Sequence, residues 1–380
     1  MTKVSVIIPV CGKAEHLSEC LQSLRCQTLK DIEILCVYGG EDQSCYREML
    51  RQYMDEDERI YATGISAADC GKALNTGIED AVGEYVGFMF PDDHASLDFY
   101  ENCYRAAEEN EADFVRTDFY RVSAEKTRDV KQIYCRISED SEDYNKVIDP
   151  EENQKALYYL PDVGCGIYRK SFLREHDIRF HEASGDTIRD EGFFFQTCVF
   201  GKRAVLLDKA GYYRRSGDPD CVAADPEKVY AADIEYDFIR DVLMDHPGVW
   251  GKVNRVYWKK RFIDTLAALD RTAPEFRKEY CRNMSRELNA AQKDRLIRYE
   301  DYGEKYWPQM QLILKDPDTF AVSTLGLVEI PKVEEDYVVN IRKLQQDSKR
   351  LQEVLNSTSY KLGFKLTSLP RRIKEHLKNR

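Results

Sequence analysis

The run Val4 to Val10, VSVIIPV, constrains this chain more than any other feature. It is rich in β-branched side chains and almost free of polar atoms, as a strand buried on both faces of a parallel sheet must be. The next segments extend the argument. Ala14 to Gln27 sets Leu17, Cys20, Leu21 and Leu24 at helical spacing, and Ile32 to Val37 returns to strand character. That is a βαβ unit, and the alternation continues with a short strand over Arg59 to Ala62, a helix over Lys72 to Ala81 and a buried strand over Tyr85 to Phe90. The predicted fold class is therefore α/β, a doubly wound and mostly parallel sheet. Sheets of this kind bind ligands beyond the carboxyl ends of their strands, which directs attention to the loops after Val10, Val37 and Phe90.

Beyond about residue 225 strand signals fade, and stretches such as Tyr230 to Met244 and Tyr257 to Leu269 suit helices. Tyr337, Ile341, Leu344, Ser348, Leu351 and Leu355 then form a short heptad-like seam, which allows either docking on the protein's own body or self-association through 337–355. From Tyr360 the chain is basic and amphipathic, with Lys361, Lys365, Arg371, Arg372, Lys374, Lys378 and Arg380 among leucines and isoleucine and only Glu375 in opposition. Clustered cations beside an apolar stripe are attracted to anionic lipid, so 360–380 is expected to meet an anionic membrane surface, a frayed and solvated terminus being the plainer reading. The expected organisation is an α/β domain over 1–225, a helical extension over 226–332, and a coiled-coil-like helix with the basic tail over 333–380.

Composition narrows the function. A formal net charge of −12 argues against a nucleic-acid binder, which needs a basic surface to displace counterions. The twelve cysteines are scattered without a C-x-x-C pair, so they read as reduced packing thiols and not as a zinc site or disulfide framework. No apolar run approaches the ~20 residues needed to cross a bilayer, and no leader is evident at the N-terminus. The expected location is the cytoplasm, with the tail offering a peripheral place on the inner face of the plasma membrane.

Four segments follow one another in a familiar order: VSVIIPV, the Glu33 to Val37 strand, Ala73-Leu74-Asn75-Thr76-Gly77-Ile78, and Gly83-Glu84-Tyr85-Val86-Gly87-Phe88. In order and spacing, residues 1 to about 220 resemble family 2 glycosyltransferases. The resemblance implies a GT-A fold, a nucleotide-diphosphate sugar as donor, a glycan or lipid-linked acceptor, and inverting transfer assisted by a divalent metal, Mn2+ or Mg2+. Met89-Phe90-Pro91-Asp92-Asp93 stands where the family carries its D-x-D motif, so Asp92 falls on the usual metal ligand and Asp92 and Asp93 on donor binding. Hard divalent cations favour such oxygens. Phe90 replaces the first acid, and local sequence alone also permits a solvated Pro-Asp-Asp turn.

Asp190-Glu191 resembles the family's acidic pair, which implies that Glu191 stands where the base does, with Asp190 beside it. In an inverting transfer a carboxylate must take the proton of the acceptor hydroxyl. An exposed acidic pair opening a helix is the alternative. Tyr212-Tyr213-Arg214-Arg215 resembles the family's Tyr-x-Tyr-Arg segment, which nominates Arg214 to stabilise the leaving diphosphate. The Asp162 to Gly166 loop corresponds to acceptor contacts, here Gly164 and Cys165, whose glycines suggest either a roomy site or a tight turn.

Donor recognition departs from the pattern. Tyr38-Gly39-Gly40 replaces the paired acids after the second strand, Cys11-Gly12 replaces an aromatic-Asn pair, and Leu74 replaces an arginine. Pro9, Val10, Tyr38 and Gly39 remain the donor-binding candidates at these strand ends, Tyr38 by stacking on a base and Gly39 by close backbone approach. The leading expectation is a glycosyltransferase of cell-surface polysaccharide synthesis. The alternatives are a catalytically inactive GT-A-fold module that binds or assembles with another transferase, and a nucleotidyltransferase, for which Cys11-Gly12-Lys13 offers only a fragment of a phosphate loop.

Overall fold

A computed structural model describes residues 1–11, 15–40, 43–66, 68–124, 130–160, 162–182, 190–215, 229–270 and 272–323. The heptad-like segment and the basic tail lie outside them. The first strand, β1 (Val4–Val10), is buried along its whole length, as its β-branched run requires. Helix α1 (Leu17–Arg25) follows, with Leu17, Cys20, Leu21 and Leu24 all buried. Strand β2 (Ile32–Gly39), helix α2 (Gln43–Glu56), strand β3 (Ile60–Ile65), helix α3 (Cys70–Asp80) and strand β4 (Tyr85–Phe88) complete the first half. Asp69 caps α3 by accepting the Lys72 N–H at 3.0 Å. Gly77 of α3 lies so close to β1 that a Cβ there would meet Ile7 at 2.4 Å, so the glycine sets the helix-to-sheet distance.

The second half adds β5 (His94–Ala95), α4 (Phe99–Glu109), β6 (Phe114–Ala124), β7 (Val130–Cys135), β8 (Val147–Ile148), β9 (Gly166–Arg169), α5 (Lys170–Glu175), α6 (Asp190–Phe200) and β10 (Ala204–Arg215). The strands run in the order β3-β2-β1-β4-β9-β6-β10-β5, with β7 against β6 and β8 against β10. The sheet is parallel from β3 to β4; β9 opposes both β4 and β6, so β6 and β10 regain the direction of β4. One consequence positions everything that follows. The ends of β1, β2, β4 and β10, the approach to β9 and the start of α6 all lie along one edge of the sheet.

Five helices complete the described chain: α7 (Ala231–Met244), α8 (Pro247–Asp270), α9 (Pro274–Lys293), α10 (Tyr299–Lys315) and α11 (Pro317–Ser323). Their shared interior holds Tyr236, Tyr257, Phe262, Tyr280 and Met310, and also Arg261, which is fully buried and ion-paired with Asp233, Asp237 and Glu287. Burial of that guanidinium is tolerable only because three carboxylates surround it. Among the described residues no helix is long and apolar enough to cross a membrane, and no disulfide joins the described cysteines.

Candidate active site

Strand β10 builds the centre of the sheet edge through its two-residue period. Tyr212 and Arg214 project to one side, where the turn after β4 and the 162–165 segment converge. Tyr212 is fully buried and its hydroxyl donates to Asp93 Oδ2 at 2.6 Å, while the Arg215 backbone N–H donates to Asp93 Oδ1 at 2.8 Å. Both Asp93 oxygens are thus occupied, and burial pushes its carboxyl up to about 7 despite those partners. Asp93 is a fastener between the β4 turn and β10. Asp92, its neighbour, is exposed, and its carboxylate makes no hydrogen bond or ion pair with another described residue; only its backbone carbonyl is engaged, by Arg215 Nε at 3.1 Å.

Arg214 Nη1 pairs with Asp162 Oδ2 at 2.8 Å, a contact that joins a half-exposed guanidinium to an almost wholly buried carboxylate. Asp162 also accepts the Gly164 N–H at 3.2 Å. Beneath this segment lies Arg116 of β6, which is 1% exposed and donates through Nη2 to the carbonyls of Leu160 and Asp162, with its guanidinium over the Phe194 ring. The charge of Arg116 therefore serves the loop backbone. Tyr212 rests on the same loop, since a Cβ at Gly164 would meet its hydroxyl oxygen at 2.5 Å.

Asp190 opens α6 at this point. Its side chain is buried, Oδ1 accepts no hydrogen bond from any described residue, and burial raises its carboxyl well above the ordinary range. Asp162 and Glu191 add to that rise, whereas Arg214 and the Val163 N–H oppose it. An unpartnered buried carboxylate oxygen beside a cation is costly to maintain, and such costs concentrate where chemistry is done. Glu191 goes elsewhere. Consecutive helical side chains diverge by ~100°, and its carboxyl, also raised by burial, has Asp264, Lys260 and Glu235 of the helical extension as its charged neighbours.

The remaining candidates are dispersed along the edge. Pro9 and Val10 are buried at the end of β1, and Gly39 is buried at the end of β2. Tyr38 is partly buried, and its ring packs on the neighbouring strand within 3.1 Å of where a Gly64 Cβ would stand. Gly164 and Cys165 are buried beneath the edge; the Cys165 side chain has no exposure. The glycine thus admits the Tyr212 ring, and the roomy-loop expectation gives way to tight packing. His94 stacks on Tyr213 with ring centres 4.7 Å apart and lies 3.7 Å from Glu19, as a polar neighbour of the acids.

Tyr212, Asp162 and Arg215 are the partners that motif matching did not single out. The alternation of Tyr212 with Arg214 was the available signal for the first of them. Among the described residues no group of three or more His, Cys, Asp or Glu could hold a metal. Among the described residues the exposed Asp92 carboxylate is open to a divalent cation, and its hard oxygens suit Mg2+ or Mn2+.

A large mixed sheet flanked by helices, with charged side chains gathered at one edge, is the architecture of the GT-A fold. Residues 5–176 match the model of Glycosyl transferase family 2. The uncharacterized glycosyltransferase EpsJ of Bacillus subtilis is 29% identical over 233 residues, 59% of this chain and 64% of that protein. The poly(ribitol-phosphate) beta-glucosyltransferase of Bacillus spizizenii is 32% identical over 240 residues, 60% of this chain and 35% of that protein. The chain thus spans less than two thirds of the length of either relative. Among solved structures, S. aureus TarS 1-349 in complex with UDP superposes with a TM-score of 0.56 at 19% identity, over 84% of this chain and 89% of that one. Residues 5–176 are a family 2 glycosyltransferase domain.

Proposed function

We propose that the chain transfers a sugar, with inversion, from a nucleoside-diphosphate donor to a hydroxyl of a glycan or lipid-linked acceptor in the synthesis of a surface polysaccharide. The observation that carries this reading is the Asp190 carboxylate, buried, without a partner at Oδ1 among the described residues and set beside the Arg214–Asp162 pair at the carboxyl edge of the sheet. Named relatives support the class of product, one acting on poly(ribitol-phosphate), and a structural neighbour that holds UDP supports the class of donor.

In this reading Asp190 Oδ1 takes the proton of the acceptor hydroxyl as the acceptor oxygen attacks the anomeric carbon. The bond from that carbon to the diphosphate oxygen breaks, and its electron pair leaves with the nucleoside diphosphate. Arg214, already oriented by Asp162, stabilises the charge that develops on the leaving group. Asp92 would hold a divalent metal, which supplies further neutralisation of the diphosphate when bound. Pro9, Val10, Tyr38 and Gly39 lie along the donor side, where nucleotide contacts are made by backbone and ring. Glu191 is left to the packing of the helical extension, and the base role passes to Asp190.

The absence of a carboxylate at Tyr38 and Gly39, and the engagement of the Tyr38 ring with β3, favour a second reading as a non-catalytic binding module. Thermal melting with a panel of nucleoside-diphosphate sugars, with Mn2+ or Mg2+ and again with chelator, separates the two. Metal-dependent stabilisation by one donor supports the transferase, because a ligand that binds only the folded state raises its melting temperature. No shift with any donor in folded protein supports the module.

A further inference from the structure

The four leading N–H groups of any helix need partners, and one partner for the helix that begins at Asp190 is supplied from outside it. The partner comes from the helical extension. Glu235 of α7 is 1% exposed, and its Oε1 accepts the Gly192 N–H at 3.0 Å, two residues beyond Asp190. The fit is close enough that a Cβ at Gly192 would stand 2.2 Å from that same oxygen. A side chain at position 192 would therefore force the Glu235 carboxylate to shift.

The second oxygen of Glu235 is held as well. His181 Nδ1 lies 3.2 Å from Oε2, and the His181 ring stacks on Phe238, one turn along α7, with ring centres 4.7 Å apart. The His181 backbone is itself pressed onto α3, since its carbonyl oxygen would lie 2.1 Å from a Cβ at Gly71, and Phe180 exchanges two 2.9 Å hydrogen bonds with Asn75. Glu235 therefore ties the start of α6 to both the extension and the donor-side helix. A carboxylate at a helix N-terminus is also favoured by the helix dipole.

We propose that Glu235 is a positioning residue for transfer: by capping α6 at Gly192 it fixes the direction of the Asp190 side chain, so the helical extension is part of the transfer site. The inference rests on the base role given to Asp190 above. Catalysis is sensitive to such support because a displacement of about 1 Å in a reacting group can cost on the order of a hundredfold in rate.

The test uses the full chain and the donor that stabilises it, with release of nucleoside diphosphate as the rate readout and amide hydrogen exchange at Gly192 to Phe194 as the structural one. Glu235→Gln keeps an oxygen that accepts the Gly192 N–H and is expected to hold kcat within about threefold of wild type, whereas Glu235→Ala loses it and should lower kcat at least tenfold with donor KM changed less than threefold. Exchange at Gly192 should quicken in Glu235→Ala and stay slow in Glu235→Gln. Glu235→Asp, which shortens the reach by one methylene, should fall between them and serves if the alanine variant does not fold. Equal loss in the glutamine and alanine variants, or an alanine variant with wild-type kcat, overturns the proposal. A wild-type chain that releases nothing from any donor refutes the transferase reading, and unchanged exchange in the alanine variant then independently refutes the cap.

Discussion

Replacing Gly164 by alanine tests whether the acceptor-side loop is a packing device. The new Cβ would stand 2.6 Å from Tyr212 Cζ, so the ring has to retreat by roughly 0.9 Å to reach the ~3.5 Å of ordinary carbon contact. That movement stretches the 2.6 Å hydrogen bond from the Tyr212 hydroxyl to Asp93, whose carboxylate is buried and, among the described residues, accepts besides only from the Arg215 N–H. Overpacking costs about 1–3 kcal/mol, and a lost hydrogen bond to a charged group about 1.5–3 kcal/mol. Gly164→Ala should therefore destabilise the fold by roughly 3–5 kcal/mol. The two contributions separate in a double-mutant cycle with Tyr212→Phe, followed by urea denaturation at pH 8. In the phenylalanine background only the overpacking remains, so the double variant should be more stable than additivity requires by about 1.5–3 kcal/mol. Additive costs to within ~0.5 kcal/mol would refute the claim that Gly164 acts through the Tyr212–Asp93 bond.

Further predictions concern charge. Asp190→Asn should lower the transfer rate by roughly 10²–10⁴-fold, the usual contribution of a general base, with donor binding retained in calorimetry. Because the base must be ionised and burial lifts its carboxyl, the wild-type rate should climb with pH through that raised value and then level off; a rate that falls over the same range contradicts the assignment. Arg214→Ala leaves the buried Asp162 unpaired and should cost about 2–3 kcal/mol in chemical denaturation, below the figure for a fully buried pair because Arg214 is half-exposed. In the extension, burial lifts Asp233 to about 6, with Glu287 and Asp237 reinforcing and Arg261 opposing. The folded state then holds that proton more tightly than the unfolded chain, so stability declines as pH rises from about 4 to 6; wild type should lose roughly 2–3 kcal/mol relative to Asp233→Asn between pH 4 and pH 7, and parallel curves would count against it.

The parts of the fold legible in the sequence are those whose burial is apolar. The strand at Val4–Val10 and the helices over Leu17–Arg25 and Cys70–Asp80 follow from side-chain pattern alone, with ends displaced by a few residues. Strand β6 lacks an apolar pattern because its buried positions are partly polar, and β10 is interrupted by the exposed Asp208 and Lys209, where its register against β6 shifts. In β6 the buried Arg116 donates through Nη2 to the carbonyls of Leu160 and Asp162, and Asp118 accepts from the hydroxyl groups of Tyr134 and Tyr144, partners that only the tertiary structure brings together. The site was legible at the level of segments and not of side chains. The sequence located the Asp92-Asp93 turn, the Asp190-Glu191 pair and Arg214, but adjacent acids differ in facing by a rotation that only tertiary partners reveal. Tyr212 claims Asp93 and leaves Asp92 open; the Arg214–Asp162 pair faces Asp190, and the extension takes Glu191. Glu235 carried no local signal, since its partner Gly192 is 43 residues away.

The central claim is tested most directly by measuring release of nucleoside diphosphate from a panel of nucleotide sugars, with short polyol-phosphate and glycan acceptors, for wild type and Asp190→Asn in the presence of Mn2+ or Mg2+. The account predicts that one donor is turned over, that acceptor accelerates release, that chelator abolishes it, and that Asp190→Asn binds the donor but turns it over at least a hundredfold more slowly. Equal rates for wild type and Asp190→Asn, or folded wild-type protein that consumes no donor under any of these conditions, would contradict it.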